Sequence, residues 1–238
     1  MGISCVIDVI FNDRKHAGHA LAQQLSSYKK ENPLILGLAR GGSLVAKSIA
    51  EDMSLSFDVL VVKKIPSPQN PELGIGALAP DNVSYVDWKF AQRMGVDEDF
   101  VNKKIRNLAI DIKERMYIYR KGRKPIRPQD NTIILTDDGV ATGGTIQAAI
   151  LWLRKKHAKK IIVALPVVPL ELTATIQRKA DAVVVLETPS DFSAVGQFYK
   201  DFHEVDDEEV VELLCKRDTN IRMHANDTNK DKERIIYS

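Results

Sequence analysis

The sequence has little cysteine: Cys5 and Cys215 stand near opposite ends of 238 residues, with no ligand-like spacing. This argues against a disulfide framework and a zinc site, and fits a reducing cytoplasm. No run of about eighteen apolar residues occurs, and no basic-then-apolar leader. MGISCV also lacks the Ser or Thr of a myristoylation signal, so a soluble cytoplasmic protein without membrane contact is expected. Excess charge is missing too, since a formal +2 is too small to attract nucleic acid in bulk. Neither the Gly-x-x-x-x-Gly-Lys-[Ser/Thr] phosphate loop nor the Gly-x-Gly-x-x-Gly dinucleotide turn is present. Composition is otherwise that of a globular domain, 44% hydrophobic and 28% charged, at a length suited to one substantial α/β unit.

Strand and helix patterns alternate along the chain. Asn12 or Asp13 can cap a helix carrying Ala17, Leu21, Leu25 and Tyr28, which Asn32-Pro33 ends. The spacing then predicts strands over 34–39, 57–62, 83–86, 132–136, 161–166 and 182–187, and helices over 43–53, 97–118, 145–157 and 170–179. Near-continuous apolar strands alternating with helices predict a mostly parallel sheet covered by helices on both faces. Ligands of such sheets bind at the carboxyl ends of the strands. Residues 63–82, punctuated by Pro66, Pro68, Pro71, Gly74 and Gly76, read as a long loop, and 216–238 as a mobile tail.

One stretch carries most of the chemistry: IILTDDGVATGGT, 133–145. Asp137 and Asp138 fall where a buried strand ends. Gly139, Gly143 and Gly144 let the backbone turn tightly, and Thr142 and Thr145 add hydroxyls at the start of a helix. Amides of a first helical turn lack helical partners and point outward with the positive end of the dipole behind them, which makes a phosphate cradle. Two carboxylates would repel a phosphate laid directly on them, so the ligand's non-anionic part should cover them; a sugar with vicinal hydroxyls meets that condition. Direct Mg2+ ligation by the pair, or a plain connecting turn with Asp138 as a cap, are the alternatives.

These thirteen residues resemble the PRPP-binding motif of type I phosphoribosyltransferases. The resemblance implies that Asp137 and Asp138 bind the ribose 2- and 3-hydroxyls and that Ala141, Thr142, Gly143, Gly144 and Thr145 hold the 5-phosphate, with Gly139 and Val140 also among the substrate-binding residues. Ala39-Arg40-Gly41-Gly42 resembles the family's pyrophosphate loop, which implies a non-proline cis peptide at Ala39-Arg40. Lys63-Lys64 is similar to the pair that precedes the family's catalytic loop, with 63–82 as a water-excluding lid. FNDRKHAGHALA, LARGG, VVKKIPSPQNPELGIGALA, LTDDGVATGG and FSAVGQFYKDF, in this order, resemble a prokaryotic phosphoribosyltransferase-like group of unassigned acceptor. The resemblance covers 11 to about 215 and implies one domain over 1–215, with a hood at about 187–203.

The activity so implied is Mg2+-dependent transfer from PRPP to a nitrogen acceptor with release of pyrophosphate. Mg2+ would ride on PRPP with no direct protein ligand, and Arg40, Lys63 and Lys64 would neutralise the departing diphosphate. Purine enzymes of the hypoxanthine-guanine type carry an aspartate three positions after the acidic pair, whereas this chain has Ala141, and ATGGT looks like the turn of uracil enzymes. A pyrimidine-like acceptor is thereby favoured. Phe192, Phe198, Tyr199 and Phe202 fall within eleven residues of a chain with 6% aromatics, making Phe192 and Tyr199 candidates for stacking on a base. Two other functions compete: a non-catalytic PRPP- or nucleotide-sensing regulator that contacts nucleic acid through the basic run YRKGRKPIR, and nucleoside hydrolysis or phosphorolysis. Basic runs are more often solvated helix faces. A homodimer is the common arrangement in the family.

Overall fold

The computed structural model describes residues 10–70, 73–120, 124 and 126–215. Cys5, the 216–238 tail and part of the basic run lie outside them. The first helix, α1 (Arg14–Gln24), starts where the Asp13 side chain accepts from the His16 amide at 2.7 Å, so Asp13 is the cap. Strand β1 (Leu34–Leu38), helix α2 (Gly42–Met53) and strand β2 (Phe57–Leu60) follow. Strands β3 (Lys63–Pro66), β4 (Gly74–Ala79) and β5 (Val83–Val86) come next, then helices α3 (Trp88–Arg93) and α4 (Glu98–Arg120). Strand β6 (Thr132–Thr136), helix α5 (Gly144–Lys155), strand β7 (Lys160–Val167), helix α6 (Leu170–Gln177) and strand β8 (Ala182–Glu187) complete the alternation. A last helix, α7, spans 207–215.

Five strands form one parallel sheet in the order β2-β1-β6-β7-β8. The central strands β1, β6 and β7 are apolar on both sides because both faces are covered. Ile134 and Ile162 point into a cluster with Leu21, Val45 and Ile49 of α1 and α2. Their neighbours Ile133, Leu135, Ile161 and Val163 point the other way, to Ile146, Ile150 and Leu153 of α5. The α/β fold with a parallel sheet between helices is therefore as the apolar runs predict. No helix among the described residues is long and apolar enough to cross a membrane.

The segment 63–82 differs from the predicted loop. β3, β4 and β5 form a separate antiparallel sheet; of the described residues, 67–70 and 73 are irregular and 80–82 make the turn from β4 to β5. Its glycine and proline content hid the strands. Gly76 sits inside β4 because a Cβ there would stand 2.2 Å from the Tyr85 carbonyl oxygen on β5. Pro66 is tolerated at the end of β3, where the pairing register shifts. The sheet packs on α5 and on α4, the latter through Ile65 and Ile75 against Val101, Ile105 and Leu108. At its far end α4 is tied to β2 by Arg120, whose guanidinium donates to both oxygens of the buried Asp58 at 2.9 and 2.8 Å.

Candidate active site

β1 and β6 are neighbours in the sheet, so the turns that leave their carboxyl ends meet. The first turn, 39–42, runs from β1 into α2, and its Ala39-Arg40 peptide is cis, as the family resemblance implies. The second carries Asp137 and Asp138 directly after Thr136. Contact between them is so close that neither glycine of the first turn could bear a side chain. A Cβ on Gly41 would lie 1.9 Å from Asp138 Oδ2, and one on Gly42 would lie 2.8 Å from Asp137 Oδ1.

Asp137 accepts from the backbone amides of Asp138, at 2.9 Å, and of Gly42. Burial and then the adjacent Asp138 push the Asp137 carboxyl well above the usual carboxylate range. Burial raises Asp138 too, against the opposing pull of Arg14. Arg14, at the first position of α1, donates from Nε to Asp138 Oδ2 at 2.8 Å. No local pattern singles it out, since a basic residue at a helix start looks solvated. From the hood, the Tyr199 hydroxyl donates to the Asp138 carbonyl at 2.5 Å.

Beyond the pair the turn divides in two. Gly139 packs on Val167 and Val195, and Val140 is 3% exposed with its amide given to the Val167 carbonyl at 3.1 Å. The family resemblance implies that both face a ligand; their surroundings make them structural. Ala141 and Thr142 are exposed, Gly143 adopts a left-handed φ of 79°, and Gly144 and Thr145 open α5. The part of the turn left to match the expected anion cradle is 141–145.

Cations gather beside the first turn. Arg40 reaches Glu204 at 2.6 Å, and Lys63, Arg115 and Arg40 lie within electrostatic reach of one another, with Asp111 and Asp207 as counter-charges. Burial lowers the Lys63 ammonium from its usual range. Arg115 on α4 pairs with Asp207 at 3.2 Å and is hidden in a run that reads as a solvated helix face. Lys64 follows Lys63 on β3. Consecutive strand residues point to opposite faces, and its stem lies along Gly74, where a Cβ would be 2.6 Å from Lys64 Cγ.

In the hood, Tyr199 is 5% exposed, with Phe11 and Phe202 at ring-centroid distances of 5.3 and 5.1 Å. It has no free face for a base, so the expected stacking role is corrected to a packing one. Phe192 is half-buried against Phe198 at 5.3 Å.

The sequence pattern of the phosphoribosyl transferase domain matches residues 10–203. Two Mycobacterium tuberculosis proteins, from strains CDC 1551 / Oshkosh and ATCC 25618 / H37Rv and both provisionally named phosphoribosyl transferases, are 37% identical over 205 residues. That alignment covers 86% of this chain but 46% of theirs, so the chain spans less than half the length of these curated relatives. The crystal structure of TT1426 from Thermus thermophilus superposes with a TM-score of 0.73 at 34% identity, covering 87% of this chain and 98% of that one. With an acidic pair and a glycine-rich bend together at the end of β6, beside the turn that leaves β1, and a family pattern matched across nearly all of the described fold, this chain belongs to the phosphoribosyl transferase family.

Proposed function

We propose that this chain transfers the phosphoribosyl group of PRPP to a nitrogen acceptor, releasing pyrophosphate. The observation that carries this reading is the adjacency of the half-buried acidic pair and the 141–145 bend at the end of β6, facing the turn that leaves β1. In this reading Asp137 and Asp138 accept from the ribose hydroxyls, and the amides and hydroxyls of 141–145 hold the 5-phosphate. Arg40, Lys63 and Arg115 receive the diphosphate as its bond to C1 breaks. The transition state carries positive charge on the ring, close to the carboxylates, and negative charge on the leaving group, close to the cations. Ala39, Gly41 and Gly42 would present backbone to the diphosphate.

The acidic pair offers only oxygen donors, the kind Mg2+ takes. Mg2+ would sit on the diphosphate and the ribose hydroxyls, reached by Asp137 and Asp138 through those hydroxyls, and would supply further charge neutralisation. For the acceptor, Ala141 in place of an acidic residue favours a pyrimidine-like base over a purine. With Tyr199 buried, Phe192 remains the stacking candidate of the two expected from the sequence.

The test is pyrophosphate release from PRPP and Mg2+ against a panel of nucleobases and other nitrogen acceptors. Release that depends on one class of acceptor supports transfer, and the class identifies the substrate. Tight PRPP binding with no turnover on any acceptor would point to the sensing regulator, and release of free base from nucleosides without PRPP would point to hydrolysis or phosphorolysis.

A further inference from the structure

Arg14 is 6% exposed and has three independent attachments. Nε donates to Asp138 Oδ2 at 2.8 Å, Nη1 donates to the His203 carbonyl at 2.8 Å, and the guanidinium carbon lies 3.8 Å above the centre of the Phe202 ring. Two of these partners belong to the hood and one is a carboxylate of the acidic pair. The first turn is shaped around the same contact, because a Cβ on Gly41 would stand 2.9 Å from Arg14 Nε as well as colliding with Asp138. The Phe202 ring is itself seated on Gly196, whose Cβ would come within 2.8 Å of it. A fork of donors on a planar cation satisfies this arrangement, and a lysine cannot reproduce it.

We propose that Arg14 is a positioning residue for the sugar diol: by holding Oδ2 of Asp138, it fixes the carboxylate plane and leaves the other oxygen for a ribose hydroxyl. The inference rests on the reading of Asp137 and Asp138 as the diol site. Two adjacent carboxylates repel each other, and Asp137 is offset by the backbone amides of Asp138 and Gly42 and, at longer range, by Arg14 itself. Arg14 supplies the positive charge that lets Asp138 remain an acceptor beside it, with the Tyr199 hydroxyl occupied on the Asp138 backbone. It also ties that carboxylate to the segment that closes over the site, since one side chain spans α1, the acidic pair and the hood.

The test is calorimetric titration of the full chain with ribose-5-phosphate and with 2-deoxyribose-5-phosphate, on the wild type, Arg14→Ala and Arg14→Lys, with circular dichroism to verify folding. The wild type should prefer the ribose sugar. Arg14→Ala should weaken ribose-5-phosphate binding by at least about tenfold, the low end for one charge-assisted hydrogen bond, while the deoxy sugar loses much less. The preference would then collapse, which a general loosening of the fold would not produce. Arg14→Lys retains a buried cation and should give an intermediate preference; it stands as the decisive variant if Arg14→Ala does not fold. An unchanged preference in a folded variant, or tighter ribose-5-phosphate binding, would overturn the role of Arg14 alone. A wild type that binds both sugars equally, or neither, would overturn the diol site and this inference with it.

Discussion

At the scale of the residue, the candidate site places two carboxylates where water would not hold them so close. Burial and mutual repulsion raise Asp137 well above its usual range, so the folded chain keeps a proton there that the unfolded chain releases. The sign follows. This contribution favours folding below the ordinary carboxylate range and is lost as pH rises through the raised value, while under the proposed function diol binding, which would need the charged form, should be gained over the same window. Asp137→Asn should therefore stabilise the unliganded protein near neutral pH by about 1 kcal/mol, flatten the pH dependence of urea melts, and abolish ribose-5-phosphate binding. A variant no more stable than the wild type would show that the charge is better compensated than its surroundings suggest. Asp137, Asp138 and the 141–145 bend were legible because motif and chemistry sit in consecutive residues. Arg14 was not, because its partner is 124 positions away and nothing local announces it.

At the scale of the element, the parallel strands were legible from apolar runs alone, and β6 and β8 coincide with their predicted bounds. β3 and β4 were not, because the glycines and small residues of β4, which serve close backbone packing, and the terminal proline of β3 look like loop in one dimension. Helix α4 shows how a charged helix is anchored: its end rests on the buried pair of Arg120 and Asp58. Removing one member leaves an uncompensated buried charge, so Asp58→Ala should cost about 3 to 5 kcal/mol in urea unfolding. The hood has the opposite kind of contact. Glu204 keeps 80% of its side chain in solvent while it occupies Arg40, a cation the proposed reaction assigns to diphosphate. Because an exposed pair is worth roughly 0.2 to 1 kcal/mol, Glu204→Gln should tighten PRPP binding by up to about fivefold, with stability little changed. Weaker binding in that variant would mean that Glu204 orients Arg40 instead of competing for it.

At the scale of the whole molecule, two apolar clusters share the central sheet, and neither can be lost without exposing the strands of the other. Unfolding should be a single transition by both far-ultraviolet dichroism and tryptophan emission. Ribose-5-phosphate, which the unfolded chain has no pocket to bind, should raise its midpoint; at about a hundred times the dissociation constant the gain is about 2.7 kcal/mol. Separate transitions from the two probes would show that the antiparallel sheet, which holds Trp88 nearby, melts on its own. The architecture also imposes an order of assembly. Arg14 bonds to His203 across 189 positions, and the Phe11 amide bonds to the Phe198 carbonyl. Contacts of such long range form late, after the local helices and strands are in place. During synthesis, then, a ribosome-bound chain displays Arg14 and its complete acidic motif before Phe202 and His203 have emerged, and under the proposed function a sugar phosphate would meet the assembled site only once those residues have left the exit tunnel.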